Sequence, residues 1–446
     1  MQVFNIKVES KTEIEIVRKP YKIKQLDVIK DELNTEKSKL DELYKNPKFG
    51  ELWSKCDPLR SEKIIIAKIC NTCCVSNAWL KCYELLSECD IVSTFEDHFV
   101  HFDNAAFPGS FVLATNHLAN VHKLKHEWYA SSLMPDKGNT ALDDSYGLHK
   151  NYPEHWLMSN CNESKKDESN ETEKEETEKS DKISGKNMDE TSENICNRGN
   201  VLSKKSQLAF HERLGGLVDL YTSDIGTDST GDYNNQELIQ ARLNVGQILS
   251  GLLTLRQGGT LITKQYTVFE PITISVMYLT SCFFEEFYLS KPDSSRRANS
   301  ETYLVGKGFK STGDILEHPY IKIMLEIIEK WDDVDDKAPK SDKATKSDKA
   351  TKGSVLPLFW HKDYPATYLN IVAAAGIKIT KSQIEKLKAD ITVCTKALEH
   401  SADQIDHMHE YRKTFEPDIK QWYTRIQPKP VPRKMQLKLI DAYHQL

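Results

Sequence analysis

No stretch of this chain is apolar for the roughly 20 residues that a membrane-spanning helix requires. The longest apolar run, Ile272 to Phe284, is interrupted by Thr and Ser. No basic segment followed by an apolar one stands at the N-terminus, so no signal peptide is expected. The ten cysteines (Cys56, Cys70, Cys73, Cys74, Cys82, Cys89, Cys161, Cys196, Cys282 and Cys394) follow no disulfide-scaffold spacing. Cys70, Cys73 and Cys74 form CxxCC, but no second CxxC or HxxxH follows at zinc spacing. Thiols on the buried face of a helix are expected there, not a metal centre. P-loop, GxSxG and kinase motifs are absent. These absences point to a soluble protein with free thiols in a reducing compartment, with no membrane partner.

Apolar residues are also scarce, at 39%, and mean hydropathy is −0.55. Two low-complexity segments account for much of the deficit. Residues 162–195 hold 12 acids against 6 bases, lack aromatics, and are expected to be disordered. Since the whole chain carries a net charge of −6, that insert accounts for all of it, and the remainder is balanced. Overall acidity therefore does not argue against a nucleic-acid substrate. The second segment, 332–354, contains a tandem KSDKAT repeat and reads as a linker. Beyond it, residues 419–446 carry Lys420, Arg425, Lys429, Arg433, Lys434 and Lys438 against Asp441. Such a basic tail can hold phosphates, or is simply a solvated surface.

What is present is β/α alternation. Residues 1–60 read as an extension: a short strand region, then a charged helix from Leu26 to Tyr44. Residues 61–331 form the main domain. Its first part, 63–91, is helical in period, and 98–104 is a strand, followed by a Pro108-Gly109 turn and a helix from Phe111. Residues 217–223 are a strand; 235–256 are a helix with Gly258 just past its end; 260–264 are a strand. A helix starts near Pro271, a favoured first-turn residue. Strands at 286–290 and 301–307 follow without an intervening helix, so they should be antiparallel. The fold class is α/β, a doubly wound sheet with an antiparallel last strand and helical extensions at both ends. Residues 355–446 should be helical, best from Lys381 to Lys413, with His407 and His409 on its surface.

In open α/β sheets the ligand crevice lies at the carboxyl ends of the parallel strands. Asp103, Asp224 and Lys264 stand at or near such ends, and Glu301 opens the antiparallel strand on the same edge. Free lysine titrates near about 10.4 and is a poor base. Burial or a second lysine lowers that value, and carboxylates hold the amine in place, so the group can activate a weakly acidic hydroxyl. The competing reading is a structural ion-pair cluster. The segment FDNAAFPGSF (102–111) has the strand, turn and helix shape used to hold a nucleoside cofactor.

The runs GGTLITK (258–264) and FEPITISVMYLTSCFFEEFYLSKPDSSRRANSETYLVGKGF (269–309) resemble the FtsJ-type (RrmJ-like) 2′-O-ribose methyltransferases. The resemblance is strongest to the mRNA cap-1 branch and its homologues in large nucleocytoplasmic DNA viruses of the African-swine-fever type. SSR-x-ANSE-x-Y (294–303) is its most specific phrase; SNAWLKCYELL (76–86), FPGSF (107–111), DLYTSDIG (219–226) and DYNNQEL (232–238) support it. It covers about residues 70–310, and the ends match less distinctly.

The resemblance implies a Rossmann-like fold, S-adenosylmethionine as cofactor, no metal, and a K-D-K-E tetrad. The tetrad falls on Lys81, Asp224, Lys264 and Glu301. It implies that Lys264 activates the ribose 2′-hydroxyl while the other three position it and tune its pKa, with acceleration coming largely from alignment. The cofactor turn would comprise Asp103, Ala106, Phe107, Pro108, Gly109, Ser110 and Phe111, with Phe107 and Ser110 where the family has glycines. Bulk at Phe107 would narrow the pocket or reroute the loop. Asp143 or Asp144 would serve the ribose side, and Asn200 the adenine side.

The implied activity is conversion of cap-0 to cap-1 on mRNA, in a host cytoplasmic viral factory and the virion, with the capped mRNA 5′ end and other capping enzymes as partners. The alternatives are an inactive scaffold or RNA-binding subunit, and a ribosomal or transfer RNA 2′-O-methyltransferase. Aromatic pairs that could hold a methylguanine include Trp128, Tyr129, Trp156, Trp360, Trp422 and Tyr423, and spacing singles out none.

Overall fold

A computed structural model describes residues 1–7, 22–135, 141–157, 199–226, 232–310, 313–337, 364–399 and 404–440. The expected insert 162–195 and Trp360 lie outside the described residues.

Seven strands build one mixed sheet: β1 (Gln2–Asn5), β2 (His98–Asn104), β3 (Lys125–Ser131), β4 (Val218–Ser223), β5 (Leu255–Gln265), β6 (Phe284–Lys291) and β7 (Thr302–Phe309). Their spatial order is β1-β6-β7-β5-β4-β2-β3. The four strands from β5 to β3 run parallel, and β7 is antiparallel to both β5 and β6. Every residue of β4 is buried, as expected of a parallel strand covered on both faces. The chain leaves β2 toward β3 on one side and returns at β4 on the other, so the topological switch point lies between β2 and β4. That is where an open sheet leaves a crevice.

The helices are α1 (Lys24–Leu43), α2 (Phe49–Lys55), α3 (Glu62–Cys70), α4 (Asn77–Glu88), α5 (Ser110–His122), α6 (Leu148–Asn151), α7 (Lys204–Leu214), α8 (Gln236–Thr254), α9 (Pro271–Cys282), α10 (Pro319–Lys337), α11 (Ala366–Glu399), α12 (Gln404–Lys413) and α13 (Glu416–Ile426). Pro271 takes the first helical position of α9, where its missing N–H costs nothing. The buried Glu237 carboxylate accepts from Thr267 Oγ1 and from the backbone N–H groups of Phe269 and Glu270 at 2.7–3.0 Å, closing the entry to that helix. Burial pushes the Glu237 carboxyl up to about 7.

Several boundaries depart from the sequence reading. The helical stretch 63–91 is two helices, because Asn71 turns left-handed (φ 55°) and ends α3. Of the CxxCC thiols only Cys70 is helical; Cys73 and Cys74 follow in the connecting loop. Gly258 does not stop α8. The chain passes from Thr254 straight into β5 at Leu255, and Gly258 (φ 80°) sits in the irregular stretch where β5 shifts register against β4. The helix expected from Lys381 begins 15 residues earlier, at Ala366, and α12 is a separate element. The first residues of the expected linker continue α10 to Lys337, and the rest lies outside the described residues. His409 is exposed.

The terminal regions share the domain's core. β1 extends the sheet by pairing antiparallel with β6. Leu26, Ile29 and Leu33 of α1 are at most 5% exposed and pack in one apolar cluster with Leu387 of α11 and Met277 of α9. Each such burial contributes about 1.5–3 kcal/mol.

Candidate active site

Helix α4 is built to carry a buried charge. The Ser76 hydroxyl caps it by accepting from Trp79 N at 3.0 Å, and Trp79 and Tyr83 stack at 4.7 Å on one face. Lys81 projects from the buried side toward the carboxyl edge of the sheet, with its side chain 10% exposed. Asp224 follows the last residue of β4, Lys264 is the penultimate residue of β5, and Glu301 immediately precedes β7.

These four side chains meet. Lys81 Nζ lies 3.0 Å from Glu301 Oε1 and 3.5 Å from Asp224 Oδ2. Lys264 Nζ lies 3.3 Å from Asp224 Oδ1 and donates to the Asp224 carbonyl at 2.8 Å. The two amines are held differently. Lys81 is clamped between two carboxylates, whereas Lys264 among the described residues ion-pairs with Asp224 alone and lies against Gly226, which lines a cavity. Burial on its own would lower the Lys81 pKa, but the charges of Asp224 and Glu301 outweigh it and raise the value above the ordinary one. The expectation that burial depresses the lysines therefore fails at Lys81. For Glu301, burial alone would raise the carboxyl; Lys81, Lys264 and Lys291 overcome it and hold the group at about 2.

Three groups escaped the sequence reading. Tyr303 donates to Asp224 Oδ1 at 2.7 Å, and Ser295 donates to Glu301 Oε1 at 2.9 Å. The buried amine of Lys291 donates to Asn299 Oδ1 (2.5 Å), Asn299 O (2.9 Å) and Glu301 O (2.6 Å). It thereby ties the β6–β7 loop into the shape that aims Glu301. Burial pushes the Lys291 amine down to about 7. The signal for Tyr303 was available: residues two apart on a strand share a face, and Glu301 and Tyr303 are two apart. Lys291 carried no such cue, since a lysine closing an apolar strand usually faces solvent.

Beside the tetrad, at the switch point, lies a cavity of about 400 Å³. Asp103, Ala106, Phe107, Pro108, Ser110, Phe111, Asn200 and Asp224 line it, together with Ser132, Leu133, Leu142 and Leu243. Gly109 (φ 113°) makes the turn into α5, whose first N–H groups are a ready anion site. Asp143 is exposed and does not line the cavity; Asp144 instead accepts from the backbone N–H groups of His149 and Lys150. The Phe107 ring packs on Trp156 at 4.8 Å, so its bulk joins an apolar cluster while the cavity stays open. Ser110 Oγ meets Ser76 Oγ at 2.8 Å.

A directed chain of hydrogen bonds ends at this cavity. Thr222 Oγ1 donates to Asp103 Oδ1 at 2.6 Å, which leaves its oxygen to accept from His101 Nε2 at 2.7 Å. His101 Nδ1 then accepts from His126 Nε2 at 3.2 Å. Burial pushes both histidines down, to about 3 for His126, consistent with neutral rings relaying one orientation. Burial also pushes the Asp103 carboxyl well up, with Asp224 adding to the effect.

The cavity size falls within the ~300–1,000 Å³ usual for small-molecule sites. Its donor set fits S-adenosylmethionine: two carboxylates suit cationic groups, a helix N-terminus suits a carboxylate, and apolar walls suit a base. Among the described residues no cluster of histidine, cysteine or carboxylate side chains could hold a metal ion.

The profile of the family described as FtsJ-like methyltransferase matches residues 74–309. A probable methyltransferase of African swine fever virus is 36% identical over 292 residues, 64% of this chain and 62% of that protein. An uncharacterized protein of Acanthamoeba polyphaga mimivirus is 31% identical over 240 residues, 53% of this chain and 26% of that one. The cap-specific mRNA (nucleoside-2′-O-)-methyltransferase 2 of Drosophila melanogaster is 25% identical over 320 residues, 69% of this chain and 40% of that one. The matched region thus spans no more than 62% of any of these relatives.

Proposed function

The chain belongs to the FtsJ-like methyltransferase family, and from that footing we propose that it is a cap-specific mRNA 2′-O-methyltransferase acting on the first transcribed nucleotide. The observation that carries the reading is the tetrad: two amines and two carboxylates linked in a chain, Lys264–Asp224–Lys81–Glu301, by contacts of 3.0–3.5 Å beside a nucleoside-sized cavity.

In this reading, Asp103, Asn200 and the turn Ala106–Phe111 hold S-adenosylmethionine. When bound, it would supply a sulfonium-borne methyl group for transfer to the ribose oxygen, the sulfur leaving as a neutral thioether. Asp224 lines the cavity, and the Lys264 amine it holds, acting in its neutral form, takes the 2′-hydroxyl proton as that oxygen attacks. Asp224 fixes the Lys264 amine through both its carboxylate and its carbonyl. Lys81 stays charged between Asp224 and Glu301 and keeps two like charges from repelling. Alignment of this kind is worth several powers of ten in rate.

The cap assignment rests on likeness to proteins named for that activity. The substrate would be the capped mRNA 5′ end, with other capping enzymes as partners, in the cytoplasmic factory of a virus. No described helix is long and apolar enough to cross a membrane. The intact tetrad and open cavity favour catalysis over a scaffold role.

The test uses labelled S-adenosylmethionine with capped mRNA, uncapped mRNA and ribosomal RNA, beside Lys264→Ala. Labelling of capped mRNA alone, lost in the variant, is expected. Equal labelling of uncapped RNA removes the cap assignment, and no labelling of any RNA removes the enzyme.

A further inference from the structure

A second cleft, of about 610 Å³, opens between α1, the loop 296–300 and α11. Two of its aromatic rings, Tyr44 and Tyr233, are 51% and 48% exposed, so much of each ring stands open. Tyr44 does touch Phe49 edge-on at 4.9 Å, which fixes its ring. A third aromatic, Trp53, carries the Arg296 guanidinium over its ring at 4.7 Å, and Arg296 also donates to the Trp53 carbonyl. The Nε of Arg296 is buried and has no hydrogen-bond partner among the described residues. Such an orphaned donor is costly unless something accepts from it. Lys37 donates to the Tyr233 carbonyl at 3.2 Å and adds a second cation. Asp41 and Asn234 supply an acceptor and a donor near the rings.

The position of the cleft matters as much as its chemistry. Its wall includes Asn299 and Ser300, and the next residue is Glu301 of the tetrad. A strand whose ribose stands at the tetrad therefore has this cleft as a neighbour. Exposed rings, two cations and a few polar groups are what a stacked base with its phosphate requires. Lys37, Tyr44, Trp53 and Leu387 all fall outside the family match at 74–309, so the terminal regions add this cleft to the common domain.

We propose that the cleft is a nucleotide subsite, in which Tyr44 and Tyr233 stack one base of the RNA and Arg296 and Lys37 hold its phosphate. The proposal rests on the methyl-transfer reading for which strand enters, but its binding chemistry stands apart from it. Two sources share that chemistry: the guanine of the cap and a base of the transcribed strand.

The test measures fluorescence anisotropy of a labelled short oligoribonucleotide, capped and uncapped, with wild type, Tyr44→Ala, Tyr233→Ala and the double variant. S-adenosylmethionine binding by calorimetry and a thermal melt run alongside as folding controls. Each single variant is expected to weaken RNA binding about tenfold, the order lost with one stacked base, with cofactor binding and melting unchanged. Loss confined to the capped strand assigns the guanine; loss for both assigns a transcribed base. Unchanged affinity for both strands in the double variant overturns the subsite. Wild type that binds RNA through these tyrosines yet methylates none keeps the subsite and removes the methyl-transfer reading. Full methylation with tyrosine-independent binding does the reverse.

Discussion

The hydroxyl of Ser110 lies 2.8 Å from that of Ser76, and this contact joins the turn that opens α5 to the helix that carries Lys81. Ser76 caps α4, and Ser110 opens α5, so a shift in one helix end is felt at the other. Replacing Ser110 by glycine restores the family's residue but removes the tie. Ser110→Gly is expected to weaken cofactor binding severalfold and lower kcat with little change in melting temperature. Calorimetric titration with S-adenosylmethionine checks the first, and steady-state kinetics the second. Unchanged values for both would show the contact to be incidental.

The two tetrad lysines are expected to fail in different ways. Lys264→Ala removes the proton acceptor of the proposed mechanism and should cost about 10²–10⁴-fold in kcat, with stability near wild type. Lys81→Ala removes the amine that bridges Asp224 and Glu301, leaving Asp224 to Lys264 alone and Glu301 to the more remote charges of Lys264 and Lys291. Removing one partner from such a set costs about 3–5 kcal/mol, readable by denaturant unfolding. If Lys81→Ala were as stable as wild type, the ion pairs would be solvated, not structural.

Gly226 gives a steric handle on the same amine. A Cβ built there stands 3.0 Å from Lys264 Nζ and 3.6 Å from its Cε. Gly226→Ala should displace the amine by a few tenths of an ångström and lower kcat while the protein melts normally. A kcat equal to wild type would place the working position of Lys264 elsewhere.

Acid and base act on opposite members of the site. The Glu301 carboxyl sits at about 2 instead of 4.5. A depressed acid contributes stability that is full above pH 4.5 and lost as pH falls toward 2. The Lys291 amine sits at about 7 instead of 10.5. The folded state therefore binds fewer protons between those values, and stability should rise as pH climbs from 7 toward 10.5. Lys291→Met should remove that rise and reduce kcat by loosening the loop before Glu301. Unfolding free energies at pH 7 and 9.5, compared between wild type and variant, test it; equal pH slopes would refute the assignment.

Much of the site could be read from residue order. The ends of apolar strands at Asp103, Asp224 and Lys264 put those groups on one edge, and the missing helix between β6 and β7 put Glu301 there too. The doubly wound class followed from alternation, but the strand β3 (Lys125–Ser131) is missing from the sequence reading. What escaped was decided by packing. Gly258 looks like a helix stop, but pairing of Leu255 with Val218 pulls the strand forward past it. The start of α11 lies in a small-residue stretch with a weak period, where Gly376 fits closely against Val268 (a Cβ would lie 2.7 Å from its Cγ2). No periodicity announces that contact. Likewise the Lys291 clasp depends on loop carbonyls whose direction the sequence does not state.

The shared apolar cluster of α1, α9 and α11 has a practical corollary. A fragment trimmed to residues 74–309 would keep the tetrad and yet be stripped of the oily partners that shield its back. Such a piece would stick to itself in solution, and anyone dissecting this molecule must carry both flanks along with the middle.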